Sequence, residues 1–269
     1  MTVLSQKELT QKEYFDAVAQ KYDRTYGYNR PFTKYKIEKK SDEFVEYLKP
    51  NLPKVAGLEI LEVGCGTGEY THTIGSRLPK SHIVALDISG NVIKLAKRKC
   101  RKLRNVRFTV QSIYKTDFRK NQFDIVFGFY SLHHMDFRKV FKELYRILKP
   151  GGYVYFCEPN ILNPFVYAVK SIPSLKKKVG DSPDETAINP LTIAQFAVGF
   201  NVLKLALSEY VLPVGFLDIE NLKKLDKLLS LLHHVPLFKY LGGSTQIFMK
   251  KKILLELSSS YKKKSWLEK

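Results

Sequence analysis

The chain has 269 residues, enough to bury one substantial core, and a formal net charge of +19 from 45 lysines and arginines against 26 acids. Its three cysteines, Cys65, Cys100 and Cys157, are far apart, which disfavours a disulfide scaffold or a zinc ribbon and favours a reducing cytoplasm. Residues 1–13 contain no signal-peptide core, and no apolar run approaches the roughly 20 residues that span a bilayer. We therefore expect a cytoplasmic protein, soluble or peripheral to a membrane, whose basic surface favours anionic partners.

Polar and apolar residues alternate along the chain in a pattern that predicts helices and strands in turn. Two N-terminal helices are expected at residues 5–21 and 33–49, on either side of a turn-rich segment at 26–31. Strands are then predicted at 58–63, 82–87, 105–110, 123–129 and 152–158. Helices are expected between them at 69–78, 89–103 and 136–148, the last stopped by Pro150 and two glycines. Such alternation implies a parallel sheet with helices on both faces and a ligand outside the carboxyl ends of the strands.

The alternation loosens after residue 158. An insertion at 159–189 precedes a predicted helix at 190–198, a strand at 202–208, a leucine-rich helix at 219–232 and a final strand at 244–249. The chain is thus expected to comprise an N-terminal helical cap (1–52), an α/β domain (53–252) with insertions at 159–189 and 210–240, and a basic tail (253–269). Together the strands predict one seven-stranded, mostly parallel sheet.

The most specific motif follows the first strand. Gly64-Cys-Gly-Thr-Gly68 forms a turn into a helix that begins near Glu69. Glycine is needed where the backbone passes close to a ligand. The spacing is Gly-x-Gly-x-Gly, whereas the dinucleotide fingerprint is Gly-x-Gly-x-x-Gly, and Glu69 takes the place of its third glycine. A carboxylate at this position suits a ligand with a cationic centre better than a pyrophosphate.

A second acidic position indicates a nucleoside ligand. The next strand ends in Asp87, where a carboxylate usually accepts hydrogen bonds from ribose hydroxyls. The alternative is that Asp87 caps the following helix, but Ser89 already serves that purpose. Because Glu69 replaces the third glycine and Asp87 would repel a 2′-phosphate, a hydride-transferring NAD(P) enzyme is disfavoured.

Five segments, taken in order, resemble the class I S-adenosylmethionine (SAM)-dependent methyltransferases. They are Glu62-Val-Gly-Cys-Gly-Thr-Gly68, Ala85-Leu-Asp-Ile-Ser89, Phe123-Asp-Ile-Val126, Leu132-His-His134 and Leu148-Lys-Pro-Gly-Gly152. The resemblance covers residues 14–160 well and the remainder loosely. It implies an α/β, Rossmann-like fold, SAM as the cofactor and methyl transfer as the reaction.

The resemblance also implies cofactor contacts. Gly64, Gly66 and Gly68 would let the main chain meet the methionine half of SAM, and Glu62 would orient their loop; the alternative is an ordinary strand-to-helix turn. Ile88 would lie on an adenine face or, alternatively, pack in the core. Ser112 stands where much of the family has an acid that meets the adenine amino group. The expected cofactor-binding residues are therefore Tyr22, Glu62, Gly64, Cys65, Gly66, Gly68, Asp87, Ile88, Ser112, Ile113 and Phe129.

Cofactor and acceptor are expected to meet at the end of the fourth strand, residues 128–134. This segment lacks the prolines that clamp an extruded base, so methylation of DNA base amino groups is disfavoured. Tyr130 and His133 are candidates for a base toward the acceptor, with packing as the alternative. No metal site is expected, because His133 and the adjacent His134 cannot share one helical face and no ligand cluster accompanies them.

The segment Phe15-Asp-Ala-Val-Ala-Gln-Lys-Tyr-Asp23 resembles the N-terminal helix of the branch that methylates quinone precursors and other small molecules. In that branch the helix closes over the cofactor, and Tyr22 would touch its methionine end; otherwise the helix only covers the core. The loop at 180–186 is expected to form part of an acceptor lid or, alternatively, to carry solvated charge.

Basic residues crowd three places: residues 94–104, the helix at 219–232 and the tail segment 261–266. The first fits a solvated helix face. Lysines beside leucines and aromatics near the C-terminus favour an anionic membrane surface over nucleic acid. We therefore expect O- or C-methylation of a small, hydrophobic or lipid-linked acceptor. The alternatives are an RNA or protein methyltransferase that uses the basic surface, and a SAM-binding regulator without catalysis; the sequence defines neither the acceptor nor the oligomeric state.

Overall fold

The computed structural model describes residues 4–52, 56–179, 181, 186–208, 217–231 and 242–253. Its strands are β1 (Glu59–Val63), β2 (His82–Asp87), β3 (Val106–Val110), β4 (Phe123–Phe129), β5 (Leu148–Pro159), β6 (Phe200–Ser208) and β7 (Ser244–Lys251). They form one seven-stranded sheet in the order β3-β2-β1-β4-β5-β7-β6. The pairings from β3 to β5 are parallel, and β7 runs antiparallel to both of its neighbours. The predicted seven-stranded, mostly parallel sheet is confirmed.

The helices are α1 (Gln6–Val18), α2 (Tyr22–Thr25), α3 (Pro31–Leu48), α4 (Glu69–Arg77), α5 (Gly90–Lys99), α6 (Phe137–Ile147), α7 (Pro164–Ser171), α8 (Pro173–Val179) and α9 (Ile219–Ser230). Several begin at residues that satisfy free backbone N–H groups. Ser5 and Glu8 form a capping box at α1, and the Ser89 hydroxyl accepts from Val92 N at 3.2 Å, as expected. Within the described ranges, no helix is both long and apolar enough to cross a bilayer.

Alternating side chains of the central strands divide the core between the two faces of the sheet. On one face, Ile125 and Phe127 of β4 pack with Phe44 of α3. On the other, Val126 packs with Leu144 of α6. All five side chains are fully buried, so the core holds β1 and β4 rigidly at the centre of the sheet. This rigidity fixes the loops at the carboxyl ends of these strands.

The region after β5 differs from the sequence prediction. The helix predicted at 190–198 is wrong: the segment contains only a short 3₁₀ turn, Ile193–Gln195. The Asn189 side chain accepts from Leu191 N at 3.0 Å, and its carbonyl accepts from Thr192 N at 3.1 Å, so local turns replace a helical ladder. The insertion at 159–189 contains α7 and α8. Of the insertion predicted at 210–240, residues 217–231 are described and contain α9; the rest of it and the basic tail from residue 254 lie outside the described residues.

Candidate functional site

A cavity of about 450 Å³ opens at the carboxyl ends of the central strands. One part, which we call the glycine-loop half, is lined by the loops after β1, β2 and β3, at Gly64, Cys65, Gly66, Asp87, Ile88, Ser112 and Ile113. The other part, the tyrosine half, is lined by Tyr26, Tyr28, Tyr70, Tyr130, Phe165, Val166 and Val169. The cavity lies where the strand order reverses between β1 and β4, which is where sheets of this type bind ligands.

The glycine loop brings main chain to the cavity wall because two of its residues leave no room for a side chain. A Cβ on Gly64 (φ +71°) would lie 2.5 Å from Ser131 Cβ, and one on Gly66 (φ +51°) would lie 2.9 Å from Tyr22 Oη. Gly68 departs from the sequence prediction. A Cβ there would meet Ala96 of α5 at 3.1 Å, so Gly68 packs α4 against α5 and lies outside the described cavity wall.

Asp87 fixes the shape of this loop. One carboxylate oxygen accepts from Gly66 N and the other from Ser89 N, both at 2.9 Å. Burial raises the pKa of Asp87, while the hydrogen bonds from these amides oppose the rise. The Asp87 carboxylate also lines the cavity, and its contact with a ribose stays a prediction.

Glu62 and Cys65 lie in the wall on either side of Gly64. Glu62 accepts a hydrogen bond from Thr71 Oγ1 at 2.6 Å, and its burial, with a smaller contribution from the charge of Asp87, raises its pKa to about 8. Burial raises the pKa of the Cys65 thiol as well, so this thiol stays neutral. Glu62 therefore carries an unusually basic carboxyl group behind the loop.

The far end of the glycine-loop half contains an acid that the sequence reasoning missed. Ser112 and Ile113 follow β3 and line the cavity with Ile88. Ser112 Oγ donates to the carboxylate of Glu8 on α1, which also lines the cavity. Burial acts to raise the pKa of Glu8, but hydrogen bonds from Ser112 and Ser5 outweigh it and the net pKa is lowered. The Ser-x-x-Glu pattern of residues 5–8 signalled only a helix start.

Tyr22 lies beside Gly66 of the glycine loop, and its contact with the methionine end of the cofactor stays a prediction. Its ring packs against Tyr26 at 4.5 Å between centroids, and against Tyr28 at 6.0 Å. Phe15 of α1 contacts the Tyr22 ring and also the ring of His134. The N-terminal segment thus forms an aromatic cover on the boundary between the two halves of the cavity.

The carboxyl end of β4 separates the two halves. Phe129 stacks on Tyr70 with ring centroids 4.0 Å apart, and both line the cavity. Tyr130 has φ +52°, a left-handed conformation that is costly for an aromatic residue and is common at functional sites. Its hydroxyl lies 2.9 Å from Ser244 Oγ, and Lys36 Nζ lies 4.6 Å from its ring centroid.

His133 is held by a carboxylate that the sequence reasoning also missed. His133 Nδ1 lies 2.6 Å from Glu158 Oε2, and both side chains are almost fully buried. Glu158 Oε1 accepts in addition from Ser131 N and Leu132 N, at 3.1 and 2.9 Å. An acid ending the strand at 152–158, beside the strand that precedes His133, is the signal that could have identified it. The carboxylate fixes the tautomer with the proton on Nδ1 and the lone pair on Nε2.

The outer wall of the tyrosine half comes from α7 and the residues after α8. Lys170 forms an ion pair with Asp181 at 2.7 Å, and both line the cavity. Thr186 Oγ1 donates to the carbonyl of His133 at 3.2 Å. Asp181 and Thr186 are the described residues of the lid loop predicted at 180–186; Gly180 and residues 182–185 lie outside the described residues. Within the described part of the chain, no cluster of three or more His, Cys, Asp or Glu side chains could hold a metal ion.

Comparison with known proteins identifies the domain. Residues 60–152 match the family model described as "Methyltransferase domain". The demethylmenaquinone methyltransferase of Lactococcus lactis is 29% identical over 51% of this chain, and the match spans only 64% of that relative's length.

Two solved structures share the fold. Phosphoethanolamine N-methyltransferase 1 of Haemonchus contortus is 14% identical, with a TM-score of 0.60 over 91% of this chain and 49% of that one. Geranyl diphosphate C-methyltransferase of Streptomyces coelicolor is 16% identical, with a TM-score of 0.52 over 78% and 76%. At these identities the structures show the fold alone, whereas the family model also matches the sequence of the glycine loop and the strands around it. The chain therefore contains a methyltransferase domain at residues 60–152 and shares the fold of the class I SAM-dependent methyltransferases, which it resembles.

Proposed function

We propose that the protein transfers a methyl group from SAM to a small, largely hydrophobic acceptor. The observation that carries this proposal is the continuity of the cavity, in which the glycine-loop half meets the tyrosine half at Phe129 and Tyr130. One half offers main chain and carboxylates, and the other offers rings and aliphatic side chains. A polar cofactor and an apolar acceptor can thus lie end to end.

The residues of the glycine-loop half fit SAM. Gly64 and Gly66 form a cradle that any Cβ would fill, and the Asp87 carboxylate lies beside it for the ribose hydroxyls. Glu62 and the tyrosine rings that cover the loop suit the cationic methionine end. SAM supplies a methyl group on a sulfonium, which leaves as a neutral thioether when the methyl carbon is attacked.

His133 is the group best placed to accept a proton from the acceptor. Glu158 holds Nδ1–H and orients the ring, so Nε2 takes the proton while the acceptor oxygen or carbon bonds to the methyl carbon. The charge of Glu158 stabilises the imidazolium that forms. The remaining acceleration comes from alignment and from the exclusion of water by the rings that line the tyrosine half.

The lining of the tyrosine half supports a hydrophobic acceptor. Phe165, Val166 and Val169 of α7 and four tyrosines line this half, and the charges of Lys170 and Asp181 at its outer wall pair with each other. The Lactococcus relative is named for demethylmenaquinone, a quinone, and one structural neighbour is named for geranyl diphosphate. A quinone-like or lipid-linked acceptor is therefore our first choice for an acceptor screen.

An acceptor of this kind suggests contact with an anionic membrane. α7 lines the cavity and also exposes Phe165 (64%) and Tyr167 (58%), and exposed lysines follow on α9 at Lys223, Lys224 and Lys227. Each basic residue near an anionic surface contributes about 1 kcal/mol of binding free energy, and this contribution fades within a Debye length.

Co-sedimentation of the protein with anionic vesicles should be strong at low salt and weak at high salt. Deleting residues 258–269, which lie outside the described part of the chain, should reduce it without changing SAM binding; equal sedimentation at both salt concentrations would contradict the membrane proposal.

Two experiments test the main proposal. Isothermal titration should show binding of SAM and S-adenosylhomocysteine and none of NADP, and tight NADP binding without SAM binding would overturn it. A screen with labelled SAM across lipid, small-molecule, RNA and protein extracts should label a lipid or a small molecule. Label in RNA or protein would favour the basic-surface alternative, and SAM binding without labelling of any extract would favour a regulator.

A further inference from the structure

We propose that Glu8, on the helix that covers the cavity, accepts a hydrogen bond from the 6-amino group of the cofactor's adenine. Selection of the base would then depend on α1 lying closed over the site. The inference rests on the proposed function, because it takes SAM as the ligand. It assigns to the N-terminal helix a specificity contact that the loop after β3 does not provide by itself.

The order of the strands indicates where the base must lie. β1, β2 and β3 are consecutive neighbours in the sheet, and their carboxyl ends carry the glycine loop, Asp87 and Ser112 in that order. A ligand with its methionine end at Gly66 and its ribose at Asp87 continues in the same direction toward β3. Its base therefore reaches Ser112 and Ile113, which line that end of the cavity.

The N-terminal segment crosses the same three loops in the opposite order, with one acid at each. Glu8 contacts Ser112 after β3, and Asp16 accepts from Ser89 Oγ and from Asn91 N at 3.1 Å after β2. Asp23 accepts from Thr67 Oγ1 at 2.7 Å after β1. Successive acids are separated by about two helical turns, so one face of the N-terminal segment spans the whole cleft. We call this segment, from Glu8 to Asp23, the strap.

Capping accounts for only one oxygen of Glu8. Oε2 accepts from Ser5 N at 2.8 Å and from Ser5 Oγ at 2.6 Å, which completes the capping box. Oε1 instead points to Ser112 and the cavity. A carboxylate oxygen has two lone pairs and no proton, so Oε1 can accept from Ser112 and from an amino group at once. Glu8 Oε1 therefore favours a base that presents a hydrogen-bond donor, such as the amino group of adenine.

The test compares two ligands on each protein variant. One is S-adenosylhomocysteine, and the other is its 6-deamino analogue, in which hydrogen replaces the purine amino group. Because a hydrogen bond to a charged group is lost, the wild-type protein should bind the analogue roughly 10- to 100-fold more weakly by titration calorimetry. In Glu8→Gln this ratio should collapse to nearly one, since a glutamine whose oxygen caps Ser5 turns its NH₂ toward the base. Glu8→Ala should collapse it too.

Two control variants separate recognition from closure of the strap. Asp16→Asn weakens the hold on the loop after β2 without touching the base, so it should lower both affinities by the same factor and keep the ratio. Glu13→Gln, at an exposed position of α1, should change neither affinity. The ratio is measured within one sample, so partial unfolding of a variant cannot mimic the expected result.

If both Glu8 variants keep the wild-type ratio, Glu8 only caps α1 and the inference is wrong. A wild-type ratio of one would overturn it as well. If the wild-type protein does not bind S-adenosylhomocysteine, the SAM assignment itself fails, and that failure is distinct from the first two.

Discussion

The two halves of the cavity are built in different ways. In the glycine-loop half, consecutive β–α loops present main chain, and the hydrogen bonds of Asp87 to Gly66 and Ser89 fix their shape. In the tyrosine half, the wall comes from distant segments that include Tyr28 before α3, Tyr130 after β4, and α7. The first half can bind a ligand through fixed backbone geometry, whereas the second selects its ligand by side-chain shape. Substitutions should therefore separate cofactor affinity from acceptor turnover.

The largest separation of acceptor turnover from cofactor affinity is expected in the variant His133→Asn. Asparagine keeps a donor for Glu158 near the position of Nδ1 but removes Nε2, the proposed proton acceptor. Loss of a general base typically costs about 100- to 10,000-fold in rate, so kcat on the acceptor identified by the screen should fall by that factor. Titration calorimetry should show an unchanged affinity for S-adenosylhomocysteine.

His72→Asn is the matched control, since His72 is exposed on α4 and lies outside the described cavity wall. It should change neither kcat nor cofactor affinity. A parallel loss of both quantities in His133→Asn would mean that His133 packs the site and does not accept the proton.

Asp87→Ala should produce the converse result, with the main effect on cofactor affinity. The variant frees Gly66 N and Ser89 N and removes the carboxylate proposed to bind ribose. Each charge-assisted bond lost costs about 1.5–3 kcal/mol, so affinity for S-adenosylhomocysteine should fall at least ten-fold. Asp42→Ala, at an exposed acid paired with Arg77, should leave that affinity unchanged. Unchanged affinity in Asp87→Ala would place the ribose site elsewhere.

Most of the predicted cofactor-binding residues line one cavity because the geometry of the glycine-loop half is set locally; their contact with the cofactor stays a prediction. The apolar strand, the glycine spacing and the acid that ends the next strand lie within about thirty residues and report on backbone that folds nearby. Ser89 was likewise recognisable as a cap from its position. Gly68 packs two helices together, a role that the spacing alone does not distinguish from close approach to a ligand, because glycine marks both.

The long-range contacts of both halves were harder to predict. The pairs Glu8 with Ser112 and His133 with Glu158 join residues that come together only when the sheet forms. The helix predicted at 190–198 failed for a related reason: Asn189 captures nearby amides in turns, a competition that apolar periodicity does not register.

A pH-dependent effect of intermediate size is expected at Glu62. Its pKa in the folded protein is about 8, against an ordinary value of 4.5, so between these pH values the folded state holds a proton that the unfolded state has released. The stability that this group contributes is thus fully present below pH 4.5 and is lost as pH rises to 8, by at most about 1.4 kcal/mol per pH unit.

Glu62→Gln removes this titration and retains an acceptor for Thr71. The free energy of unfolding, measured in urea at pH 5 to 8.5, should therefore fall less steeply with pH in the variant than in the wild-type protein. Parallel curves for the two proteins would show that Glu62 titrates near its ordinary pKa.

The smallest effects are expected from removing one helix cap beside each half of the cavity, which compares the two halves directly. Ser89→Ala deletes the acceptor for Val92 N, and Asn163→Ala deletes the acceptor for Phe165 N and Val166 N. Each cap is worth about 0.5–2 kcal/mol, so urea unfolding should show similar losses of stability in the two variants.

The effects of Ser89→Ala and Asn163→Ala on ligand binding should differ. Ser89→Ala also frees Asp16 of the strap, and this should weaken S-adenosylhomocysteine binding modestly. Asn163→Ala loosens the start of α7, where Phe165 and Val166 face the tyrosine half, so it should raise the KM for the acceptor and leave cofactor affinity unchanged. Equal losses of cofactor affinity in both variants would show that the two halves respond to ligands as one unit, because stability alone would then account for both results.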